Sequence, residues 1–94
     1  MPVGLLTLDL QLPGCSSLKE KRSRLKPLLA RLHREFNISA AEIDRQDAWQ
    51  ETLIACALVA NSTGHVQRSL QAVVKWVEEF WPDVELVDDR IEIL

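Results

Sequence analysis

Seven of the eleven lysines and arginines in this chain fall between Leu18 and Phe36. They are Lys19, Lys21, Arg22, Arg24, Lys26, Arg31 and Arg34, opposed there only by Glu20 and Glu35, a net +5. Elsewhere four cations face twelve carboxylates, a net −8. Cations gathered on one element of an acidic protein are suited to polyanions or acidic partners. At about 100° per residue, Arg22, Lys26 and His33 lie within about 60° of Lys19, on a stripe without carboxylates. Arg24 and Arg31 lie on the opposite flank, each four residues from a glutamate (Glu20 and Glu35) that neutralises it. Lys19, Lys21 and Arg22 also crowd the helix start, where the macrodipole disfavours each cation by about 0.3–1 kcal/mol. With the Ser16 and Ser17 hydroxyls and the free N–H groups of a first turn, they would form an anion site.

Other residue types offer less. Asp47, Trp49, Gln50 and His65 are the remaining polar and aromatic candidates. Trp49 in a short loop suits either ligand stacking or closure over a sheet edge. His65, near a helix start, has no partner in sequence for general-base work. Asp47 after Gln46 fits a loop-capping carboxylate. Cys15 has no nearby His or second Cys to complete a nucleophile–base pair. The two histidines and two cysteines lack metal-ligand spacing, so no metal and no cofactor are expected. A catalytic role is the weakest of the classes considered.

These residues need a frame. Ninety-four residues suffice for a single domain, 1–94, with one core. No apolar run approaches the roughly 20 residues of a membrane span, and no signal-peptide layout opens the chain, so a cytoplasmic protein is expected. Residues 3–12 alternate, with Leu6, Leu8, Leu10 and Leu12 on one face. After Pro13-Gly14, Ser17 and Glu20 form a capping-box signature. Leu18, Leu25, Leu28, Leu29, Leu32 and Phe36 then share one helical arc, with Pro27 inside the helix and expected to kink it. Ile38–Arg45 and Glu51–Ala60 read as strands joined by a short connection. Asn61 or Ser62 caps a second helix, which Pro82 stops, and Val84–Leu94 reads as a last strand interrupted at Asp88-Asp89. The order β-α-β-β-α-β favours a ferredoxin-like α+β sandwich, with a four-stranded antiparallel sheet (order 4-1-3-2) and both helices on one face.

Several blocks carry a family resemblance. They are Pro13-Gly14, Ser17-Leu18-Lys19-Glu20-Lys21-Arg22, Phe36-Asn37-Ile38-Ser39, Gln46-Asp47 with Trp49-Gln50, and Ile91-Glu92-Ile93-Leu94. End to end the chain resembles the small bacterial proteins of the DUF503 (YlxP-like) family. The resemblance implies the ferredoxin-like fold and a setting near translation and ribosome maturation. It implies no particular activity.

RNA-recognition motifs share this element order but stack bases on aromatics of the central strands. Here the open face would carry Leu5, Ala40, Ala55, Ala57 and Val59, so that mode is not expected. The leading expectation is a non-catalytic module that contacts RNA or a ribosomal particle through its first helix. Ser17, Lys19, Lys21, Arg22, Lys26 and Arg34 would be its anion-binding residues. A homodimer joined through Leu5, Ala55, Ala57, Val59 and Trp49 is the alternative. A small-anion enzyme at the first helix start comes third. The sequence pI of 5.3 weighs against tight nucleic-acid binding.

Overall fold

Strict alternation makes the first strand, β1 (Val3–Gln11), and puts Leu6, Leu8 and Leu10 wholly out of solvent on one side. The computed structural model describes all 94 residues. Beyond β1 follow α1 (Leu18–Glu35), β2 (Ser39–Asp44), β3 (Glu51–Val59), α2 (Thr63–Phe80) and β4 (Glu85–Ile93). The four strands form one antiparallel sheet in the order β2-β3-β1-β4, and the fold is the ferredoxin-like βαββαβ sandwich. No helix is long and apolar enough to cross a membrane.

Register fixes which side chains meet. Leu6 pairs with Cys56 and Leu8 with Ile54, so the inward residues of β1 and β3 form one layer beneath the helices. Leu25, Leu28 and Leu32 of α1 and Val66, Leu70, Val73 and Val77 of α2 close that layer into a single core. Of the two proposed caps of α2, Ser62 serves: its Oγ accepts from the His65 N–H at 3.4 Å. α1 runs unbroken through Pro27, which is exposed together with Ser23, whose carbonyl loses its usual donor. Gly4 lets α2 lie directly on β1, because a Cβ there would strike Val66 Cγ1 and sit 2.8 Å from Leu70 Cδ1.

Two sequence expectations change here. Ala40 pairs with Cys56 and packs against the core, so it belongs to the helix-covered face rather than the open one. β4 is continuous through Asp88-Asp89, and its irregularity falls at Val87. Asp9 faces Asp88 while Leu10 faces Leu86, leaving Val87 unpaired and exposed. A similar bulge in β2 leaves Ile43 exposed between Glu42 and Asp44.

Candidate functional site

The start of α1 satisfies itself. Ser17 Oγ accepts from the Glu20 N–H at 3.0 Å, and the Ser16 N–H donates to Glu20 Oε2 at 2.8 Å. The capping box is thus shifted by one residue, and a carboxylate from within the helix occupies the place predicted for an external anion. The Cys15 thiol first, and then the Ser16 N–H, hold the Glu20 carboxyl below its ordinary value. Ser17 is committed to its capping bond and leaves the anion-binding set.

Lys21 leaves it too. Its side chain is only 2% exposed, and its Nζ lies 2.8 Å from Glu42 Oε2 while donating to the Arg45 carbonyl at 2.6 Å. Thr52 Oγ1 donates to the same Glu42 oxygen at 2.5 Å. The spacing shows why: Lys21 precedes Leu25, Leu28 and Leu32 by 4, 7 and 11 residues, so it shares the buried arc. Its phase on the helix, not its charge, decides its place. Arg45 can offer its carbonyl because it adopts a left-handed conformation, φ 64°, at the end of β2. Its guanidinium reaches Asp9 on the open face at 2.6 Å, a bond that holds its pKa above the ordinary value.

Arg24 does not pair with Glu20. It donates to Asp83 Oδ2 at 2.9 Å, to the Asp83 carbonyl at 2.5 Å and to the Pro13 carbonyl at 2.9 Å, tying α1 to two loops. The Asp83 hydrogen bond holds its pKa above the ordinary value. Arg31 pairs with Glu35 as expected, at 3.1 Å, and also covers Trp76 at 5.5 Å from the ring centre. Trp76 packs with Phe36, Phe80 and Trp81, so four of the five aromatic residues gather at the far ends of the helices. His33 Nδ1 is 3.1 Å from the Ile38 carbonyl, a contact that requires the proton on Nδ1.

What remains is sharply confined. Six of the eleven cations make ion pairs; of the other five, Lys19, Arg22, Lys26 and Arg34 all stand exposed on α1. Beside them, α1 and the β2–β3 connection enclose a groove of about 520 Å³. Leu18, Leu25 and Leu29 supply its apolar lining, and the Lys21–Glu42 pair its polar wall. Arg22 and Lys26 stand on one rim, and Gln46 and Asp47 on the other.

The open sheet face carries the remaining predicted residues. Leu5 pairs with Ala57, Thr7 with Ala55 and Val3 with Val59, so Leu5, Ala55, Ala57 and Val59 do share a surface, which Leu53 extends. Across β4 that surface turns ionic, with Arg90 3.1 Å from Glu92. Trp49 lies in the β2–β3 connection, 51% exposed and with no aromatic neighbour. His65 is exposed at the start of α2. Both cysteines are free and wholly buried, and burial pushes the Cys56 thiol up to about 12. Nowhere do three or more His, Cys, Asp or Glu side chains converge as metal ligands.

Residues 3–91 match the family model described as "Protein of unknown function (DUF503)". The chain belongs to the DUF503 family. It is also similar to "Uncharacterized protein YlxP" of Bacillus subtilis (strain 168), at 36% identity over 90 residues, covering 96% of this chain and 97% of the relative. In this DUF503 chain two of the blocks that carry the resemblance line the same groove. Ser17 to Arg22 supplies the cap, the buried lysine and part of one groove rim, while Gln46 and Asp47 supply the opposite rim. Gln50 braces the junction: its carbonyl accepts from the Leu12 N–H at 2.9 Å, and its Nε2 donates to the Cys15 carbonyl at 3.2 Å.

Proposed function

We propose that this DUF503 protein is a non-catalytic binding module whose α1 contacts the phosphate backbone of RNA or of a ribosomal particle. One observation carries the reading: the cations without a carboxylate partner are concentrated on α1, at Lys19, Arg22, Lys26 and Arg34. A helix that merely solvates its face can pair its charges locally, as Arg31 does with Glu35. These four instead stay free in a chain of net charge −3, where carboxylates are in excess. Phosphate contacts of this kind position a partner without reading its sequence.

The test is binding to structured ribosomal RNA and to ribosomal subunits across a salt series. Each phosphate contact contributes about 0.7–0.9 to the slope of log K against log salt. Reversing Lys19, Arg22 and Lys26 to Glu is expected to reduce that slope by about two and to abolish binding at moderate salt. Unchanged affinity in the triple variant would remove α1 as the binding surface.

A further inference from the structure

Trp49 is the aromatic residue that the fold leaves unused. The other four gather at the far ends of the helices, whereas Trp49 is 51% exposed, has no aromatic neighbour and takes no part in the core. An indole closing over a sheet edge would be covered; half of this one meets water. Yet the chain on both sides of it is fixed. The Ala48 N–H donates to the Arg45 carbonyl at 3.0 Å, and Gln50 bonds to Leu12 and Cys15, in the loop that leads into α1. Trp49 is therefore held near the start of α1, where Lys19 and Arg22 stand exposed. It lies in a shallow depression with Asp47, Ala48, Gln50 and Glu51. Asp47 also lines the groove beside α1, so the two concavities adjoin.

We infer that the strip from α1 to Trp49 takes an unpaired RNA strand, with phosphates on Lys19, Arg22 and Lys26 and a base stacked on Trp49. The sidedness of the charge makes the choice. The α1 margin is cationic, whereas the Trp49 margin carries the exposed carboxylates Asp47 and Glu51. A single strand is sided in the same way, with its charge along one edge and its bases along the other. Laid on this strip, it keeps its phosphates at the cations and away from the carboxylates. A duplex hides its base faces in the stack and carries a second row of phosphates. It would leave Trp49 idle and bring charge toward Asp47 and Glu51. The half-buried Leu18 and Leu29 give the groove an apolar floor for ribose and base. Stacking on an indole tolerates any sequence, because every base has a π-face. The inference rests on the reading of α1 as a phosphate-contacting surface and adds the form of RNA that this surface takes.

The experiment compares a labelled single-stranded oligoribonucleotide of about 12 mixed bases with the same strand in a blunt duplex, by fluorescence polarisation across a salt series. The single strand is expected to bind about tenfold tighter, as one stacked base gives. Unlabelled, it should also quench the tryptophan fluorescence. Trp49→Ala is expected to lose that quenching and about tenfold in single-strand affinity. Its duplex binding and its slope of log K against log salt should stay unchanged, since no phosphate contact is removed. Trp49→Phe, which keeps a flat aromatic face, should retain most of the affinity. Equal or tighter binding of the duplex, undiminished affinity in Trp49→Ala, or quenching that survives in that variant would overturn the inference. The two proposals fail separately. RNA binding that the α1 reversal abolishes and Trp49→Ala leaves intact removes only the single-strand reading. Binding that Trp49→Ala weakens and the α1 reversal leaves intact removes the backbone reading and keeps the base on Trp49. Absence of RNA binding in dilute salt removes both.

Discussion

Lys21 is the residue on which the α1–β2 side of the molecule turns. An ammonium so fully removed from water is tolerable only because Glu42 and the Arg45 carbonyl replace its hydration. Replacing it by Met would strand Glu42, four-fifths covered, with only Thr52 as partner. The expected loss is about 3 kcal/mol, read from urea denaturation midpoints. The paired change Lys21→Met with Glu42→Leu should regain most of it, since apolar partners of similar volume often replace a buried ion pair without cost. If the double variant is as unstable as the single one, the pair specifies geometry rather than merely neutralising charge. Arg45 is less replaceable. Its carbonyl serves Lys21 on the helix side while its guanidinium serves Asp9 on the other, so one left-handed residue links both surfaces of the sheet.

At the scale of elements, α2 lies directly against β1 over Gly4. Val66 is β-branched and stiff at χ1, so it cannot turn aside to admit a methyl group. Gly4→Ala should therefore cost about 1–3 kcal/mol and lower the thermal midpoint without changing the chain's secondary structure, as circular dichroism would report. An unchanged midpoint would mean that α2 slides freely over the strand. This packing also shows how far the sequence can be read. Alternation in β1 and the arc of α2 identify their inward faces, and Pro13-Gly14 and Pro82 mark breaks near the ends of elements, because each is a local property of the backbone. Lys21 was readable from its phase with Leu25 and Leu28, and Glu42 from its alternation with Ala40. The groove was not, since it exists only where α1 comes to rest beside β2. Arg24 shows the same limit: its natural local partner was Glu20, yet Asp83, 59 residues away, takes it. A bidentate hold on a loop that the fold brings near outcompetes an exposed pair one helical turn away.

The whole molecule is an acidic body with one cationic ridge. Net charge alone predicts exclusion from polyanions, but within about 10 Å, the Debye length at 0.1 M salt, the local field of α1 prevails. The protein should therefore be retained on a heparin column in dilute buffer despite its net −3, and elute below about 0.2 M salt. The α1 charge reversal should pass straight through; equal retention of both would locate the attraction elsewhere. The same body has two open sheet margins, β2 and β4, each with backbone groups that could recruit a foreign strand. Ile43 and Val87 interrupt those margins, and Asp89 shares the face of Leu8, putting a carboxylate where an incoming strand would need apolar cover. Straightening either margin by deleting its bulged residue would give the sheet a flat, adhesive border, and the first symptom would be fibrous precipitation rather than lost affinity.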